Sequence, residues 1–418
     1  MTGRRFLLIA GETSGDLLAA ELVTAIRRAE AQRAAPFPSV FFGAGGPQMQ
    51  AVGVEVVIDM TRHSVIGLWE VVRKLGGFKR LFESLLRLAC DRQPDVIVCV
   101  DFSGFNRRFA RAVRHHVRAL GGPFRNWNPR IVQYVSPQVW ASRPRRAQAL
   151  ERDVDLLLCL LPFEQAWYAA RAPGLRVEFV GHPIVERHLN AECGTRNAER
   201  GTGNGERGTR NVPSGLPSSV VPQAPLVLLL PGSRRGELTR HLPAMIGAAR
   251  RILEAAPGTR FLVVLPDEEL RRLAEGWSAA LPDVRIQVGG LARSLPEATL
   301  AIAKTGTVSL ECAWFGVPTV ALYRTSWPTY FIARSIATVK CLAMPNLLAG
   351  ETLFPELIQH QATPRNIARE ALALLASPDK REEIRVKLAR VVASLGGPGA
   401  SDRAAAAVLS LTDPKQPR

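Results

Sequence analysis

Chemically active side chains stand where two apolar runs end, one in each half of the sequence. Asp101 follows VIVCV, and Arg234 and Arg235 follow LLLPGS. A carboxylate at the end of a buried strand is costly unless it is hydrogen-bonded or at work, and partial burial would raise its pKa toward the range of a general base. Backbone N–H groups at a helix start favour anions, so the adjacent arginines there predict a bound anion.

The predicted base has two alternatives. Asp101 could instead cap the helix that follows it. His182, which comes directly after the run VEFVG, is a competing base because imidazole titrates near neutral pH. A histidine beside a proline turn is also commonly structural. The sequence favours Asp101 and leaves His182 open.

Turns in KTGTVSLE and PNLLAG extend the predicted anion site. Small residues in the first turn let a ligand approach the N–H groups of a helix start. Glu311 lies one helical turn beyond Thr307, where its carboxylate could accept both hydroxyls of a ribose. For this turn alone, a capped helix with a favourable first-turn acid is the alternative. The residues of the predicted nucleoside diphosphate site are Gly232, Ser233, Thr305, Gly306, Thr307, Glu311 and Asn346.

The first apolar run, RFLLIA, leads into GETSGD, whose backbone N–H groups could hold a phosphate or sugar hydroxyls. A tight turn capped by its serine or aspartate is the alternative. This turn is not a GxGxxG, and no GxxxxGK[ST] occurs anywhere, so dinucleotide and Walker-type phosphate sites are disfavoured. The candidate substrate contacts here are Glu12, Ser14, Gly15 and Asp16.

The elements that must position these residues alternate between apolar runs and amphipathic helical stretches. RFLLIA, VFFGAG, VIVCVD and IVQYVS precede residue 188, and LVLLL, FLVVL and TVALY follow residue 224. Such near-continuous runs are typical of parallel strands covered on both faces. Residues 188–224 contain GTRN twice and few large apolar residues, which predicts a disordered linker or insertion.

The sequence therefore predicts an α/β fold with two Rossmann-like domains that face each other across a cleft and bind ligands at the carboxyl ends of the strands. The predicted N-terminal domain spans 1–187. The linker spans 188–224, the nucleotide-binding domain 225–400, and a helix end with a tail 401–418.

Length and charge restrict the possible partners. A chain of 418 residues is too long for one ordinary core, and 54 basic against 37 acidic residues give a net charge of +17. This surplus favours phosphorylated substrates or an anionic membrane surface, with a base-composition bias of the genome as the alternative. No basic arm typical of nucleic-acid binding occurs, so no nucleic acid partner is expected. Six cysteines without metal-ligand spacing, and no signal or spanning segment, predict a cytoplasmic protein without a metal site.

A series of motifs extends this interpretation. In chain order they are GETSGD, FGAGGPQM, SVIGLWEV, PDVIVCVDFSGFN, YVSPQVWASRPRR, LLPFEQAWY, VGHP, LLPGSRRGE, KTGTVSLE and PNLLAGE. The set closely resembles the lipid-A-disaccharide synthase family over about residues 5 to 400, apart from the linker. The resemblance implies an inverting glycosyltransferase of GT-B architecture. UDP-2,3-diacylglucosamine would donate its sugar to 2,3-diacylglucosamine 1-phosphate, giving the β(1→6) disaccharide and UDP without a metal or other cofactor.

The resemblance also implies roles for individual residues. By matching positions, Asp101 falls on the family's essential carboxylate and Arg234 on its essential arginine. Asp101 would deprotonate the acceptor hydroxyl, and Arg234 would stabilise the charge that grows on the leaving diphosphate. The YVSPQVW turn would help to hold the sugars through Ser136 and Trp140, whereas Arg235 is expected to face solvent or the rim of the site.

The stretch 64–88 carries more apolar residues than one core-facing stripe needs, and basic residues interrupt it. This profile is typical of a helix in a membrane interface. A core-packed helix pair broken at Gly76 and Gly77 is the alternative. We therefore expect a peripheral protein on the cytoplasmic face of the inner membrane, with a homodimer left open. The membrane or acyl-binding candidates are Ile66, Leu68, Trp69, Val72, Leu75 and Phe78.

Three positions depart from the family's usual pattern. Gly104 replaces a second acidic residue, Lys304 a small residue, and Ser142 a tryptophan. Two other functions stay open at this stage. A different GT-B enzyme acting on UDP-N-acetylglucosamine would keep the nucleotide site without an acyl-binding helix. A non-enzymatic basic membrane adaptor would bind without turnover and would be indifferent to Asp101.

Overall fold

Two parallel sheets form the framework of the chain, one in each of two units. A computed structural model describes residues 3–33, 37–60, 75–119, 127–189, 224–278, 281 and 284–412. The first unit comprises Met1–Glu186 and Leu395–Arg418, and the second comprises Arg187–Ser394. The predicted α/β class is confirmed. Most of the predicted linker, from 190 to 223, lies outside the described residues.

The first unit is built on seven strands: β1 (Arg5–Ala10), β2 (Val40–Gly45), β3 (Glu55–Asp59), β4 (Val96–Val100), β5 (Arg130–Tyr134), β6 (Leu156–Cys159) and β7 (Arg176–Phe179). All neighbouring pairs are parallel, in the order β3-β2-β1-β4-β5-β6-β7. The helices between them are α1 (Thr13–Gln32), α2 (Pro47–Ala51), α3 (Leu75–Arg92), α4 (Ser103–Ala119), α5 (Ala147–Asp153) and α6 (Pro162–Ala169). Two short 3-10 helices, Val139–Ala141 and Pro144–Arg146, follow β5.

The second unit has six strands: β8 (Leu226–Leu230), β9 (Arg260–Leu265), β10 (Val284–Val288), β11 (Leu300–Lys304), β12 (Thr319–Tyr323) and β13 (Glu356–Ile358). They are parallel in the order β10-β9-β8-β11-β12-β13. Its helices are α7 (Arg235–Ala255), α8 (Glu268–Ser278), α9 (Leu291–Ser294), α10 (Thr307–Trp314), α11 (Trp327–Ile336), α12 (Met344–Ala349), α13 (Pro364–Leu375) and α14 (Pro378–Ser394). A 3-10 helix at Gln359–Gln361 follows β13.

Burial on both faces explains the apolar runs. Every residue of β4 and of β8 is buried. In β1, Phe6 and Leu8 join the apolar cluster on one face of the first sheet, whereas Leu7 and Ile9 join the cluster on the other face. Alternation with a period of two therefore places each side chain of the strand in a core, as a parallel sheet covered by helices requires.

The last helix, α15 (Ala400–Ser410), belongs to the first unit. It packs along α1, where Ala404 and Val408 are buried in the same apolar cluster as Leu22. The Arg403 guanidinium donates to the backbone carbonyl that follows β7, at 2.8 Å. The sequence predicts only a helix end and tail here, and the small apolar face of α15 is what seats it against α1.

Part of the predicted membrane segment is described. Leu75 and Phe78 begin α3, but their side chains lie outside the described set. Farther along α3, Leu85 is buried and the Phe82 ring centroid lies 5.5 Å from that of Phe105. This part of α3 is therefore packed on the core, but the helix continues through Gly76 and Gly77 instead of breaking there. Within the described ranges no helix is long and apolar enough to cross a bilayer. The candidates that lie entirely outside the described residues are Ile66, Leu68, Trp69 and Val72.

Candidate functional site

The strand order of each sheet reverses at one place, and predicted site residues lie at both reversals. In the first sheet the reversal falls between β1 and β4, whose carboxyl ends lead into GETSGD and Asp101. In the second sheet it falls between β8 and β11, whose carboxyl ends lead into PGSRR and KTGT. Open α/β sheets bind ligands in the crevice at such a reversal. Each unit thus brings two of the predicted turns together.

Asp101 follows β4 in a rare backbone conformation. Its φ is +47°, that of Phe102 is +41°, and Val135 after the neighbouring β5 has a φ of +72°. Left-handed conformations of this kind cost about 1–3 kcal/mol each in residues other than glycine, and they cluster at functional sites. The Asp101 N–H donates to the carbonyl of Tyr134 at 2.8 Å, which ties the two strand ends together.

Two buried amide side chains hold this strained turn. Asn106 donates through Nδ2 to the carbonyl oxygens of Val100 and Asp101, at 3.2 and 2.9 Å. Gln133 donates through Nε2 to the carbonyl oxygens of Asp101 and Val135, each at 3.2 Å. Both side chains are almost fully buried. The backbone that carries the Asp101 carboxylate is therefore fixed from two elements, β5 and α4.

The turn after β1 packs against the Asp101 turn. A Cβ at Gly11 would lie 2.4 Å from the Phe102 ring, so glycine permits the close approach. Gly15 is buried against β4, and a Cβ there would meet the carbonyl of Val100 at 3.6 Å. The structure thus places GETSGD beside Asp101.

Within GETSGD, the polar side chains divide into two groups. Asp16 is fully buried, and its two oxygens accept from three backbone N–H groups at the start of α2, at 2.8, 2.9 and 3.2 Å. Because both oxygens cap α2 and the side chain is buried, Asp16 is not in a position to contact a sugar. Ser14 is exposed and Glu12 is half-buried, so both can reach a ligand.

Ser136 and Trp140 form part of a buried polar cluster after β5. Trp140 donates its Nε1–H to Glu164 Oε1 at 2.9 Å, and Glu164 Oε2 accepts the N–H of Leu161 at 3.1 Å. Burial raises the pKa of Glu164, and the Trp140 hydrogen bond opposes that shift. Ser136 donates to the Tyr168 hydroxyl at 3.2 Å. These contacts fasten the loop after β5 to α6, so neither residue is carried forward as a direct sugar contact.

His182 lies apart from this reversal. It follows β7, which is three strands from β4, a separation of roughly 14 Å at about 4.8 Å per strand. The ring Nδ1 of His182 accepts from the backbone N–H of Ile184 at 3.2 Å, and the backbone N–H of His182 donates to the carbonyl of Leu395 at 2.9 Å. The structure therefore does not bring the competing base to the turns around Asp101.

In the second unit, Glu237 organises the PGSRR turn. One carboxylate oxygen accepts the N–H of Ser233 at 3.1 Å, and the other accepts the Lys304 ammonium at 2.7 Å. Gly232 has a φ of +123°, and a Cβ there would lie 2.4 Å from the Glu237 side chain. The turn therefore requires glycine at position 232, and its ion pair with Glu237 ties Lys304 to it.

Positive charge gathers at the start of α7. Arg234 is the residue that precedes the helix and Arg235 is its first residue, and both are exposed. The Lys304 Nζ lies 3.3 Å from where a Cβ of Gly306 would be. The unpaired N–H groups of a helix start add partial positive charge to these cations. Such an arrangement can hold a diphosphate.

His241 joins two turns at this edge of the second sheet. Its Nε2 accepts the N–H of Arg324 at 3.0 Å, so its Nδ1 donates to the carbonyl of Pro231, 2.8 Å away. This pairing requires a neutral ring with the proton on Nδ1. The ring is fully buried, and burial lowers its pKa. The turn after β8 and the turn after β12 are thereby held in register.

The KTGT turn has the predicted form. Thr305 is buried, Gly306 has a φ of +142°, and Thr307 is the exposed first residue of α10. Glu311 lies one helical turn farther along. Burial raises the pKa of Glu311, whereas the Arg187 charge lowers it. The two threonines, the glycine and the acid are therefore grouped at one helix start.

Asn346 has a different environment from the one predicted. It is fully buried, and Nδ2 donates to the carbonyl of Phe354 and to Glu356 Oε1, each at 2.8 Å. Oδ1 accepts the N–H groups of Leu353 and Phe354, at 2.9 and 2.8 Å. All hydrogen-bonding positions of the amide are thus taken by the contacts that fasten α12 to the segment before β13. Asn346 is therefore not available to contact a nucleotide.

Some of the residues that hold these turns in place have a recognisable sequence signal, and others have none. Glu237 stands three residues after Arg234, a capping position that could have been noticed, and His241 follows one turn later on the same face of α7. Asn106 and Gln133 carry no such signal, because their partners are backbone carbonyls that only the fold brings close.

Comparison with known proteins matches nearly the whole chain to one family. The profile of the lipid-A-disaccharide synthetase family matches residues 6–411. A lipid-A-disaccharide synthase of Myxococcus xanthus is 37% identical over 416 residues, which cover 98% of each chain.

Solved structures show the fold. A UDP-GlcNAc 2-epimerase from Neisseria meningitidis, bound to UDP-GlcNAc, has a TM-score of 0.60 and 12% identity, covering 97% of this chain and 100% of its own. The calicheamicin glycosyltransferase CalG4 has a TM-score of 0.56 and 17% identity, covering 99% and 100%. At these identities the likeness shows the GT-B fold alone. The family match over nearly the whole sequence, with a full-length relative at 37% identity, means that this chain belongs to the lipid-A-disaccharide synthetase family of glycosyltransferases.

Proposed function

We propose that the two strand-order reversals hold the two substrates of the family's reaction, with Asp101 as the base and Arg234 at the diphosphate. The activity of the family is the activity of this chain: UDP-diacylglucosamine and diacylglucosamine 1-phosphate (lipid X) give the lipid A disaccharide and UDP. The observation that carries the assignment of roles is the topology, because both pairs of predicted turns lie at the reversal of their sheet.

Asp101 acts on the acceptor in this proposal. An inverting displacement needs one carboxylate to take the proton of the attacking hydroxyl, and it forms no covalent intermediate. The strained turn supports the assignment, since Asn106 and Gln133 hold a conformation that the chain would otherwise avoid. The exposed Ser14 and half-buried Glu12 on the adjacent turn then offer hydrogen bonds to sugar hydroxyls.

Arg234 acts on the leaving group. As the bond between the sugar and the diphosphate breaks, negative charge grows on the diphosphate oxygens. A guanidinium and the N–H group of Gly232 would stabilise that charge more in the transition state than in the ground state, whereas the Ser233 N–H already donates to Glu237. Lys304 lies beside the same turn in an ion pair with Glu237, at 2.7 Å.

The nucleoside would occupy the start of α10. The hydroxyl of Thr305 and the N–H group and hydroxyl of Thr307, with Gly306 between them, suit the phosphate side of the nucleotide. The Thr305 N–H itself donates to the carbonyl of Leu322 at 2.9 Å. Glu311 can accept from ribose hydroxyls when it is ionised. The Arg187 charge favours that ionised form against the effect of burial.

The substrates also place the reaction at a membrane surface in this proposal. Both sugars carry acyl chains, which partition into a bilayer, and the net charge of +17 attracts the chain to anionic lipids. We propose a peripheral association on the cytoplasmic face of the inner membrane.

A comparison of the adjacent arginines tests the assignment. Arg234→Ala should lower kcat for disaccharide formation by about 100-fold or more, because the guanidinium stabilises the departing diphosphate more in the transition state than in the ground state. Arg235→Ala is the matched control and should change kcat by less than about 3-fold. Titration calorimetry with UDP then separates binding from turnover. Equal losses in the two variants would contradict the assignment.

A further inference from the structure

The helix α11 lies in the second unit with its side chains uncovered. It falls within the described range 284–412, and none of its residues is buried. Trp327 is 52% exposed, and Phe331 and Ile332 are each 62% exposed. Large apolar side chains that gather on one exposed element mark an interaction surface rather than ordinary surface composition.

Both ends of this element are fixed by hydrogen bonds to polar side chains, of which His241 and Gln359 are buried and Glu356 is half-buried. At its entry, His241 accepts the N–H of Arg324 at 3.0 Å, and Gln359 accepts the N–H of Thr325 at 3.0 Å and donates to its carbonyl at 2.9 Å. At its exit, Glu356 accepts the N–H groups that precede α12, at 2.8 and 3.0 Å. The segment 324–342 is therefore presented from anchored ends, while the fold of its own unit leaves it uncovered.

Three aromatic side chains form an ordered aromatic face, defined by the exposed Trp327 and Phe331 and the half-buried Tyr330. Their spacing of three and four residues puts them on one side of the helix. The Trp327 and Phe331 rings stack with centroids 5.8 Å apart, and Tyr330 lies edge-on to Phe331 at 5.6 Å. Arg334, one turn farther on, donates to the Tyr330 hydroxyl at 3.0 Å. The combination of tryptophan, tyrosine and a long basic side chain suits the boundary between lipid headgroups and acyl chains.

The charged residues around the aromatic face indicate which kind of partner covers it. Every charged residue between positions 324 and 350 is basic, namely Arg324, Arg334 and Lys340. A two-fold contact between copies of this chain would bring like charges together, because such a contact pairs a surface with itself. An anionic bilayer offers both the apolar depth that the aromatic face requires and counter-charges for the three cations.

We propose that the segment 324–342 is a contact surface for an anionic phospholipid bilayer, carried by the unit that holds the predicted nucleotide site. The inference rests on the proposed function, in which both substrates carry acyl chains. It adds a membrane contact that is separate from the predicted stretch 64–88. Because β12 leads into this segment at the same sheet edge as PGSRR and KTGT, the contact would hold the nucleotide turns close to the lipid surface.

Co-sedimentation with vesicles tests the proposal. Full-length protein is mixed with phosphatidylcholine vesicles that contain phosphatidylglycerol or lack it. The double variant Trp327→Ser, Phe331→Ser should lower partition onto the anionic vesicles by about tenfold or more, because two apolar anchors are lost. Val386→Ser, a matched exposed apolar residue of α14 in the same unit, should leave partition unchanged.

The basic residues are tested in parallel. Arg334→Glu should lower partition several-fold, and the loss should shrink at high salt, whereas the exposed Arg390→Glu on α14 should have a smaller effect. Transfer activity on detergent-solubilised substrates is measured for each variant and should stay near the wild-type value. Vesicle partition is measured without turnover, so a failure of the catalytic assignment at Asp101 or Arg234 would leave the partition result unaffected.

Three results would overturn the proposal. Wild-type protein could fail to bind anionic vesicles, or the double variant could bind them as well as Val386→Ser does. Light scattering could also show that the double variant turns a dimer into a monomer with unchanged vesicle partition, in which case a second copy of the chain covers the aromatic face.

Discussion

Replacing Asn106 with leucine should separate stability from catalysis. The change removes two hydrogen bonds, to the carbonyls of Val100 and Asp101, worth about 1 kcal/mol each. It also removes Oδ1, a buried acceptor that has no hydrogen-bond partner among the described residues and costs the wild type about 1–3 kcal/mol. Because these contributions oppose each other, we expect the free energy of unfolding to change by no more than about 1 kcal/mol.

The same substitution should impair turnover. Without the Asn106 amide, the left-handed turn at Asp101 loses one of its two clamps, and a displacement of about 1 Å at a reacting group costs on the order of 100-fold in rate. We expect kcat to fall at least about tenfold while KM changes by less than about twofold, since substrate contacts stay in place. UDP release gives kcat and KM, and urea denaturation of the same preparation gives the stability.

A control at the opposite end of β4 completes the test. Trp127 donates its Nε1–H to the carbonyl of Pro94 at 3.0 Å, so Trp127→Phe should lower stability by about 1 kcal/mol and leave kcat unchanged. Asn106→Leu should thus lower kcat with little change in stability, whereas Trp127→Phe should lower stability and leave kcat unchanged. A wild-type kcat in Asn106→Leu, or an equal loss of kcat in Trp127→Phe, would refute the positioning role of Asn106.

Two other residues give independent predictions. Burial lowers the folded-state pKa of His241 below its unfolded value of about 6.5. The stability that the neutral ring confers is therefore full above about pH 6.5 and is lost as the pH falls through the folded-state pKa. Urea unfolding between about pH 7.5 and pH 5 should show a steeper loss for wild type than for His241→Gln, and equal slopes would contradict this. At Gly104, the second residue of α4, an added Cβ meets no described atom within 4 Å. Gly104→Ala should raise the free energy of unfolding by about 0.5–1 kcal/mol. Gly104→Asp should raise the free energy of unfolding by about a further 0.3–1 kcal/mol, because a carboxylate in the first turn interacts favourably with the helix dipole, and it should leave kcat unchanged. A change of kcat in Gly104→Asp but not in Gly104→Ala would show that a second carboxylate tunes Asp101.

The strands and the turns at their carboxyl ends were predictable because the information is local. VIVCV and LVLLL contain no polar side chain, and each forms a fully buried strand. The residue directly after such a run must lie at the sheet edge, so the placement of Asp101 and of PGSRR followed from the alternation of elements. The family resemblance agrees with the profile match over residues 6–411.

The side chains that turned out to be structural could not be recognised in this way, because their partners lie elsewhere in the sequence. Asp16 caps a helix some thirty residues away, and Asn346 closes a loop with the backbone of Phe354. A polar residue in a glycine-containing turn looks the same whether its partner is a ligand or a distant N–H group. The return of α15 to the first unit is non-local for the same reason.

The most direct test of the account is the kcat of Asp101→Asn for disaccharide formation from UDP-diacylglucosamine and lipid X. Asparagine tolerates the left-handed backbone of this turn, so the substitution removes the base with little change in conformation. A positioned general base contributes about 100- to 10,000-fold, and the account predicts a loss of kcat in that range with UDP affinity unchanged. A kcat within about tenfold of the wild-type value would contradict the role of Asp101 as the base.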